Sequence, residues 1–256
     1  MASFEELQAL AEVVSKNKVK HIQVIGNPGN ANTKFEQFYD AIATGRLHDD
    51  TEAAQCFYQT SPDHAAYRKL KDRLQERLVN TLFFVDVNQE GFNDYNKGYY
   101  NCYKLIAATK ILIGRAARKA AIPLAEKALE QAIKFEFTDV ILFLARDLRM
   151  HYGSIVGDRK KFETLDILVE QYNSILLAEL KAEQYYSNLM MHYVGSKATK
   201  PDLIEKAAQY STELEKLSNK INSYRFNYLS FVIFTLRHEI ANDYLNTLEV
   251  CQKAIR

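Results

Sequence analysis

The scarcity of turn-forming residues limits most strongly what this chain can fold into. Only nine glycines and four prolines occur among its 256 residues. A sandwich or barrel of many short strands needs a turn about every ten residues, usually built with Gly, Pro, Asn or Asp. Long helices joined by short turns need far fewer of them. The sequence therefore predicts an all-α protein.

The charge balance and the cysteines narrow the class of protein. Lys and Arg number 33 and Asp and Glu 32, so no overall field favours nucleic acid or an anionic membrane. Cys56, Cys102 and Cys251 are too far apart for a disulfide framework or a zinc site. The first residues lack the basic and apolar segments of a signal peptide, so we expect none, and the apolar stretches are too short to cross a membrane. We expect a cytoplasmic protein without a membrane span, metal or cofactor.

The N-terminal part is predicted to be a small helical region with one extended segment. Ser3 and Glu6 have the spacing of a capping box, which predicts a helix start. Residues 19–25 alternate between polar and apolar and predict a short strand, followed by a turn over residues 26–30. Three further helices are predicted: from about Thr33, capped by Asn32, to Gly45; from Asp49 or Asp50 to near Gln59; and from Pro62, capped by Ser61, to about Val85.

The C-terminal part is predicted to consist of helical hairpins. Between Asp158 and Gly195 the sequence contains no Gly or Pro, which predicts one helix about 50 Å long or two helices meeting at a kink. The amphipathic pattern continues to the final residues, so we expect a simple C-terminal helix or an array that continues further. The other predicted helices cover 94–114, 116–135, 138 (with Thr138 as cap) to about 157, a segment opened by Pro201, and a pair within 224–256. We predict two domains, 1–90 and 91–256.

Two stretches place small residues where two helices of a hairpin would cross. The first has Ala108 and Thr109 on one helix, and Ala121, Ala125 and Ala128 on the next. The second has Phe231 and Phe234, followed by residues 243–254. Both stretches resemble the tetratricopeptide repeat, a 34-residue helix-turn-helix unit. The chain departs from that pattern because it has no Trp and because residues 138–176 fit only with an insertion. The resemblance implies hairpins stacked as an α-solenoid, which serves as a protein- or peptide-binding scaffold and performs no chemistry.

A tyrosine-rich helix is the candidate binding site. In tetratricopeptide domains a Lys and an Asn four residues apart can clamp a peptide's C-terminal carboxylate with help from basic residues of neighbouring repeats. The chain offers Lys97 and Asn101 at that spacing. The alternative is that the tyrosines only pack between helices, with their hydroxyls at the rim. The predicted site consists of Tyr95, Lys97, Tyr99, Asn101, Tyr103, Arg115, Arg118, Arg146 and Arg149.

Nucleic-acid binding is the main alternative function. Residues 50–80 have the layout of a helix-turn-helix, whose second helix carries Tyr67, Arg68, Lys69 and Lys71. Such a motif joined to a helical-repeat sensor would be a DNA-binding regulator. Acidic residues interrupt the basic face of that helix, and a solvated helix surface explains such a run equally well.

The remaining motifs do not predict catalysis. The loop at residues 26–30 lacks the glycine spacing of a phosphate-binding loop. Residues 86–91 begin like a calcium loop, but its twelfth position is Lys97 rather than a carboxylate. His238 and Glu239 lack the second histidine of a zinc protease, because position 242 is Asn. We therefore predict a non-catalytic scaffold whose partner is a protein or peptide, with self-association as a further candidate.

Overall fold

A computed structural model describes residues 3–16, 33–87, 92–195 and 201–255, and in those ranges the chain is all-α. This confirms the predicted fold class. The predicted strand at 19–25 and the turn at 26–30 lie outside the described residues. The described α-helices are α1 (Phe4–Lys16), α2 (Lys34–Ala43), α3 (Asp50–Tyr58), α4 (Ala65–Leu82), α5 (Asp94–Gly114), α6 (Arg118–Lys134), α7 (Thr138–His151), α8 (Arg159–Gly195), α9 (Pro201–Ser218), α10 (Tyr224–Ile240) and α11 (Tyr244–Ile255).

The chain divides into two compact units, Met1–Phe92 and Asn93–Arg256. In the first unit, α1 packs against α2 and α4, and α3 packs against α2 and α4. Phe38 of α2 is fully buried at its centre, with its ring edge-on to Phe57 at 5.3 Å and to Tyr67 at 6.0 Å. Leu74 and Leu78 of α4 complete this core at helical spacing, as the leucine pattern predicts.

The helix starts in the first unit follow local hydrogen bonds, and two of the predicted starts are wrong. The capping box of Ser3 and Glu6 is present in both directions. Thr33, rather than Asn32, caps α2, because its hydroxyl accepts the amide of Glu36. Helix α4 begins at Ala65 instead of Pro62. The carbonyl of Ser61 accepts a hydrogen bond from the amide of His64 in a tight turn. The His64 side chain then caps the helix by accepting the amide of Ala66.

In the second unit each helix packs against the next, and the long helix α8 packs against α7, α9 and α10. Small side chains line the α5–α6 crossing, so the two backbones approach closely. The thiol of Cys102 lies 3.5 Å from the carbonyl oxygen of Ala128. The buried residues of α6 are Ala121, Ala125, Ala128, Leu129 and Ala132.

Helix α8 is one continuous helix of 37 residues, about 55 Å long. This decides between the two predicted arrangements. Helix α7 ends at His151 and passes into a π-helical turn, Tyr152–Val156. Gly157 then adopts φ 74°, a left-handed conformation that residues with a Cβ rarely adopt, and lets the chain reverse into α8.

Thr138 has a different role from the predicted helix cap. It is the first residue of α7, and Phe137 occupies the N-cap position without a side-chain hydrogen bond. The Thr138 hydroxyl instead donates to the carboxylate of Glu179, 2.9 Å away in the middle of α8. The hydroxyl therefore ties two helices together rather than closing one.

Gly98 lets an aromatic ring lie directly on the backbone of α5. A Cβ built at Gly98 would stand 2.6 Å from the Phe135 ring. We therefore expect Gly98→Ala to lower the free energy of unfolding by about 1–3 kcal/mol, because the ring must move out of its aromatic cluster. Urea unfolding followed by circular dichroism measures the change.

Gly114 of the same helix is the matched control. A Cβ there meets nothing within 4 Å. Gly114→Ala is expected to be neutral or to stabilise by up to about 1 kcal/mol, because alanine has the higher helix propensity. Equal effects of the two substitutions would show that the close approach at Gly98 is unimportant.

Candidate binding surface

Helices α5 and α7 lie side by side and parallel. The hydroxyl of Tyr103 donates to Asp139 at 3.3 Å, and the ammonium of Lys110 lies 2.6 Å from the carboxylate of Asp147. Residue numbers rise together along the two helices, which fixes their common direction. The same ammonium lies 4.7 Å from the centre of the Phe143 ring, a cation–π distance.

These contacts define what we call the α5–α7 surface. On α7, positions 139, 143, 146 and 150 share one face by helical spacing. Phe143 is 40% exposed and Met150 64% exposed, and Tyr103 is 42% exposed across from them. Uncovered aromatic and apolar side chains thus lie beside charged ones. The surface comprises Tyr99, Tyr103, Lys110, Asp139, Phe143, Arg146, Asp147 and Met150.

An aromatic cluster supports the N-terminal end of this surface. The rings of Tyr95 and Tyr99 each form an edge-on contact with the ring of Phe137, with distances of 4.9 and 5.1 Å between ring centres. Phe135 stacks on Phe137 at 5.5 Å. Edge-on contacts of this kind hold aromatic rings in fixed orientations. Tyr95 and Tyr99 are therefore held in place by contacts within the second unit.

The tyrosine hydroxyls form a short hydrogen-bonded chain. Tyr99 and Tyr103 share a hydrogen bond of 3.2 Å, and Tyr103 also donates to Asp139. The hydrogen bond with Tyr99, burial and the charge of Asp139 together raise the pKa of Tyr103. Its hydroxyl therefore stays protonated at neutral pH and presents a polar tip beside an apolar ring.

The structure does not bring the nine predicted site residues into one cluster. Tyr95, Tyr99 and Tyr103 do lie together. Arg115 caps the opposite end of α5 and Arg118 opens α6, about 30 Å along the helix from Tyr95. The other four lie in different surroundings. Lys97 lies 3.8 Å from Asp94, and Asn101 is half-buried. Arg146 is exposed on the α5–α7 surface, whereas Arg149 pairs with Asp166 at 2.6 Å.

Five residues of the surface were missed from the sequence, the exposed Met150 among them. Lys110, Asp139, Phe143 and Asp147 are recognised only through the contacts between α5 and α7. The signal available in the sequence was weak. Asp139, Phe143 and Asp147 recur every four residues, which places them on one face but does not say which helix that face meets.

Comparisons with known proteins give no relative. No protein-family model matches the chain, and neither a curated protein nor a solved structure matches it. The tetratricopeptide resemblance therefore stays a prediction.

Two clusters in the described part of the second unit each combine a Tyr, a Glu and a Lys. Tyr152 donates to Glu126 at 2.6 Å, and Lys161 lies 2.8 Å from the Tyr152 hydroxyl. Burial, and then the hydrogen bond to Glu126, raise the pKa of Tyr152. Tyr185, Glu213 and Lys181 repeat this arrangement between α8 and α9. A Tyr–Glu–Lys triad at two different helix crossings is typical of a structural tie.

The ranges that the structure describes contain neither a metal-ligand cluster nor a candidate membrane span. Within them, no group of three or more His, Cys, Asp or Glu residues could hold a metal ion. No helix in those same ranges is long and apolar enough to cross a membrane. The calcium-like segment is described only in part, because residues 88–91 lie outside the described residues.

Two of the four residues predicted to face DNA are buried in the structure. Tyr67 is fully buried and its hydroxyl donates to Asp50 at 2.6 Å. Lys71 is also buried and lies 2.7 Å from the same carboxylate oxygen. Both side chains point into the first unit, so the expectation that they face DNA phosphates is wrong. Arg68 and Lys69 remain exposed.

Proposed function

We propose that the second unit is a non-catalytic helical scaffold, of the tetratricopeptide-like kind, that binds a protein or peptide on the α5–α7 surface. The observation that carries this proposal is a row of uncovered aromatic side chains between two parallel helices. Tyr103 and Phe143 stand there at about two-fifths exposure, beside the ion pair of Lys110 and Asp147.

The composition of this surface suits a polypeptide partner. Tyr, Phe, Met and Arg are the residues enriched at protein interfaces, and Tyr combines large contact area with a hydroxyl that can bond to a peptide backbone. An extended partner lying between α5 and α7 would meet aromatic rings at its centre. It would meet the charges of Asp139 and Arg146 at the sides.

The DNA-binding alternative has less support. The net charge of the chain is +1, and Lys71 already has a carboxylate partner. Nucleic-acid binding needs several cations free to contact phosphates. Arg68 and Lys69 are the two residues of the predicted basic face that remain exposed.

The proposal is tested by affinity capture from lysate, in nuclease-treated and untreated halves, with three forms of the whole chain. We expect the wild type to retain a protein that Tyr103→Ala/Phe143→Ala loses, at least tenfold as a typical loss for two central aromatic contacts. The control is Phe83→Ala/Phe84→Ala, which removes two rings of the first unit that are 55% and 51% exposed. The helical content of all three is checked by circular dichroism.

The outcomes separate the candidate functions. Retention lost only in the α5–α7 variant supports the proposal, and if the retained protein is the chain itself, the partner is a second copy. Loss only in the Phe83/Phe84 variant would move the site to the first unit. Capture that disappears with nuclease would favour the nucleic-acid alternative instead.

A further inference from the structure

A cleft of about 230 Å³ lies between three helices: the C-terminal end of α9, the C-terminal half of α10, and α11. It is separate from the α5–α7 surface. Phe231 and Phe234 supply aromatic walls, with their rings edge-on at 6.1 Å, and Val250 of α11 faces them. Its volume is enough for one large apolar side chain and a few polar atoms.

The basic side chains that line this cleft differ in whether they already have partners. His238 lies 3.5 Å from the carboxylate of Asp243, and Lys253 lies 2.7 Å from that of Glu249. Arg237 also lines the cleft and is only partly exposed. Among the residues that the structure describes, no carboxylate lies within ion-pair distance of its guanidinium. The cleft therefore combines apolar walls with a planar cation, Arg237, that has no ion-pair partner among the described residues.

We propose that this cleft binds a carboxylate carried on an apolar group, with the carboxylate on Arg237 and the apolar group between Phe231 and Phe234. A guanidinium binds a carboxylate through two parallel hydrogen bonds, which fixes the orientation of the bound acid. The aromatic walls then select for an apolar substituent next to it. A free aromatic acid and the C-terminal residue of a peptide share this chemistry.

Glu215 lines the same cleft from α9 and limits the ligand further. Its negative charge repels a doubly charged ligand, such as a phosphate ester, about twice as strongly as a singly charged acid. It can also accept a hydrogen bond from an amide N–H next to the bound carboxylate. A singly charged acid with a neighbouring amide fits both groups.

Binding of N-acetyl-L-phenylalanine to the whole chain, followed by NMR or calorimetric titration, tests the proposal. We expect saturable binding. The methyl ester, which lacks the charge, should bind at least about tenfold more weakly, as expected for the loss of a charge-assisted pair. Arg237→Gln should weaken binding of the acid by a similar factor. Lys216→Gln, on the exposed side of α9, is the matched control and should leave it unchanged.

A short peptide ending in Phe, with its C-terminus free or amidated, distinguishes the two sources of the ligand. Tighter binding of the free form than of N-acetyl-L-phenylalanine indicates recognition of a peptide C-terminus. Binding of the small acid alone indicates an organic acid. Equal binding of acid and ester, no effect of Arg237→Gln, or no binding by any of these probes would overturn the proposal.

Discussion

Glu179→Ala is expected to lower the free energy of unfolding by about 3 kcal/mol. The side chain is 2% exposed, and the hydroxyls of Thr138 and Ser223 both donate to its Oε1 oxygen. Alanine leaves a cavity and two buried hydroxyls without their acceptor. The substitution also removes the desolvation cost of burying the Glu179 carboxylate, but this gain offsets only part of the loss. Chemical unfolding measures the difference.

Two substitutions serve as controls for this effect. Glu179→Gln keeps an acceptor oxygen for both hydroxyls and should cost less than about 1 kcal/mol. Glu170→Ala removes an exposed carboxylate from the same helix and should change stability by less than about 0.5 kcal/mol. A loss for Glu179→Ala no larger than that for Glu170→Ala would mean that the buried carboxylate does not hold α7 and α10 together.

The same residue gives stability a pH dependence of known sign. Burial raises the pKa of Glu179 above its ordinary value of 4.5, although the hydroxyls of Ser223 and Thr138 and the charge of Arg225 oppose the shift. The folded chain therefore keeps a proton that the unfolded chain releases, and this contribution is lost as pH rises from about 4.5 through the raised pKa. Glu179→Gln lacks it, so the stability difference between wild type and Gln should fall over that range. A flat difference would contradict the assignment.

Asp50→Ala is the second substitution with a large expected effect, a loss of about 2–4 kcal/mol. One oxygen of Asp50 accepts the hydroxyl of buried Tyr67 and pairs with buried Lys71. Removing Asp50 leaves an ammonium and a hydroxyl in the interior without that acceptor. The side chain of Asp50 is itself about a third exposed, which keeps the expected loss below that of a fully buried pair.

A double-mutant cycle with Lys71→Met isolates the pair itself. The double variant should be more stable than the sum of the two single effects implies, by about 1–3 kcal/mol, because it has no uncompensated charge. Lys69→Met on the exposed face of α4 is the matched control and should combine additively with Asp50→Ala. Additivity for Lys71→Met as well would mean that the two charges do not interact.

Local sequence signals predicted the helices better than their ends. The long run without Gly or Pro predicted one long helix or two helices meeting at a kink, because nothing in it interrupts an i to i−4 hydrogen-bond ladder, and the structure has the single helix α8. The start of α4 was misplaced because Ser61 and Pro62 suit a turn as well as they suit a helix start. Thr138 was misassigned for a different reason. Its partner Glu179 is 41 residues away, and no local pattern reports such a contact.

The candidate surface was predicted only where one helix carries it. The tyrosines of α5 stand out at helical spacing, so their grouping could be predicted. Arg115 and Arg149 were included because they follow nearby in sequence, but position along a helix separates them from the tyrosines. The pairing of Lys110 with Asp147 depends on how α5 and α7 align, which is set by packing in the interior and not by either helix alone.

The unbroken course of α8 also affects how the second unit loses its structure. Leu165, near its start, belongs to one hydrophobic core, while Ala182 and Leu189 belong to another. A loop between these cores would let either melt alone. Because a single helix joins the cores, unfolding one of them breaks helical hydrogen bonds at the edge of the other. We therefore expect the two cores to be coupled. The continuous backbone of α8 is thus expected to contribute to cooperative unfolding of this unit, alongside side-chain packing.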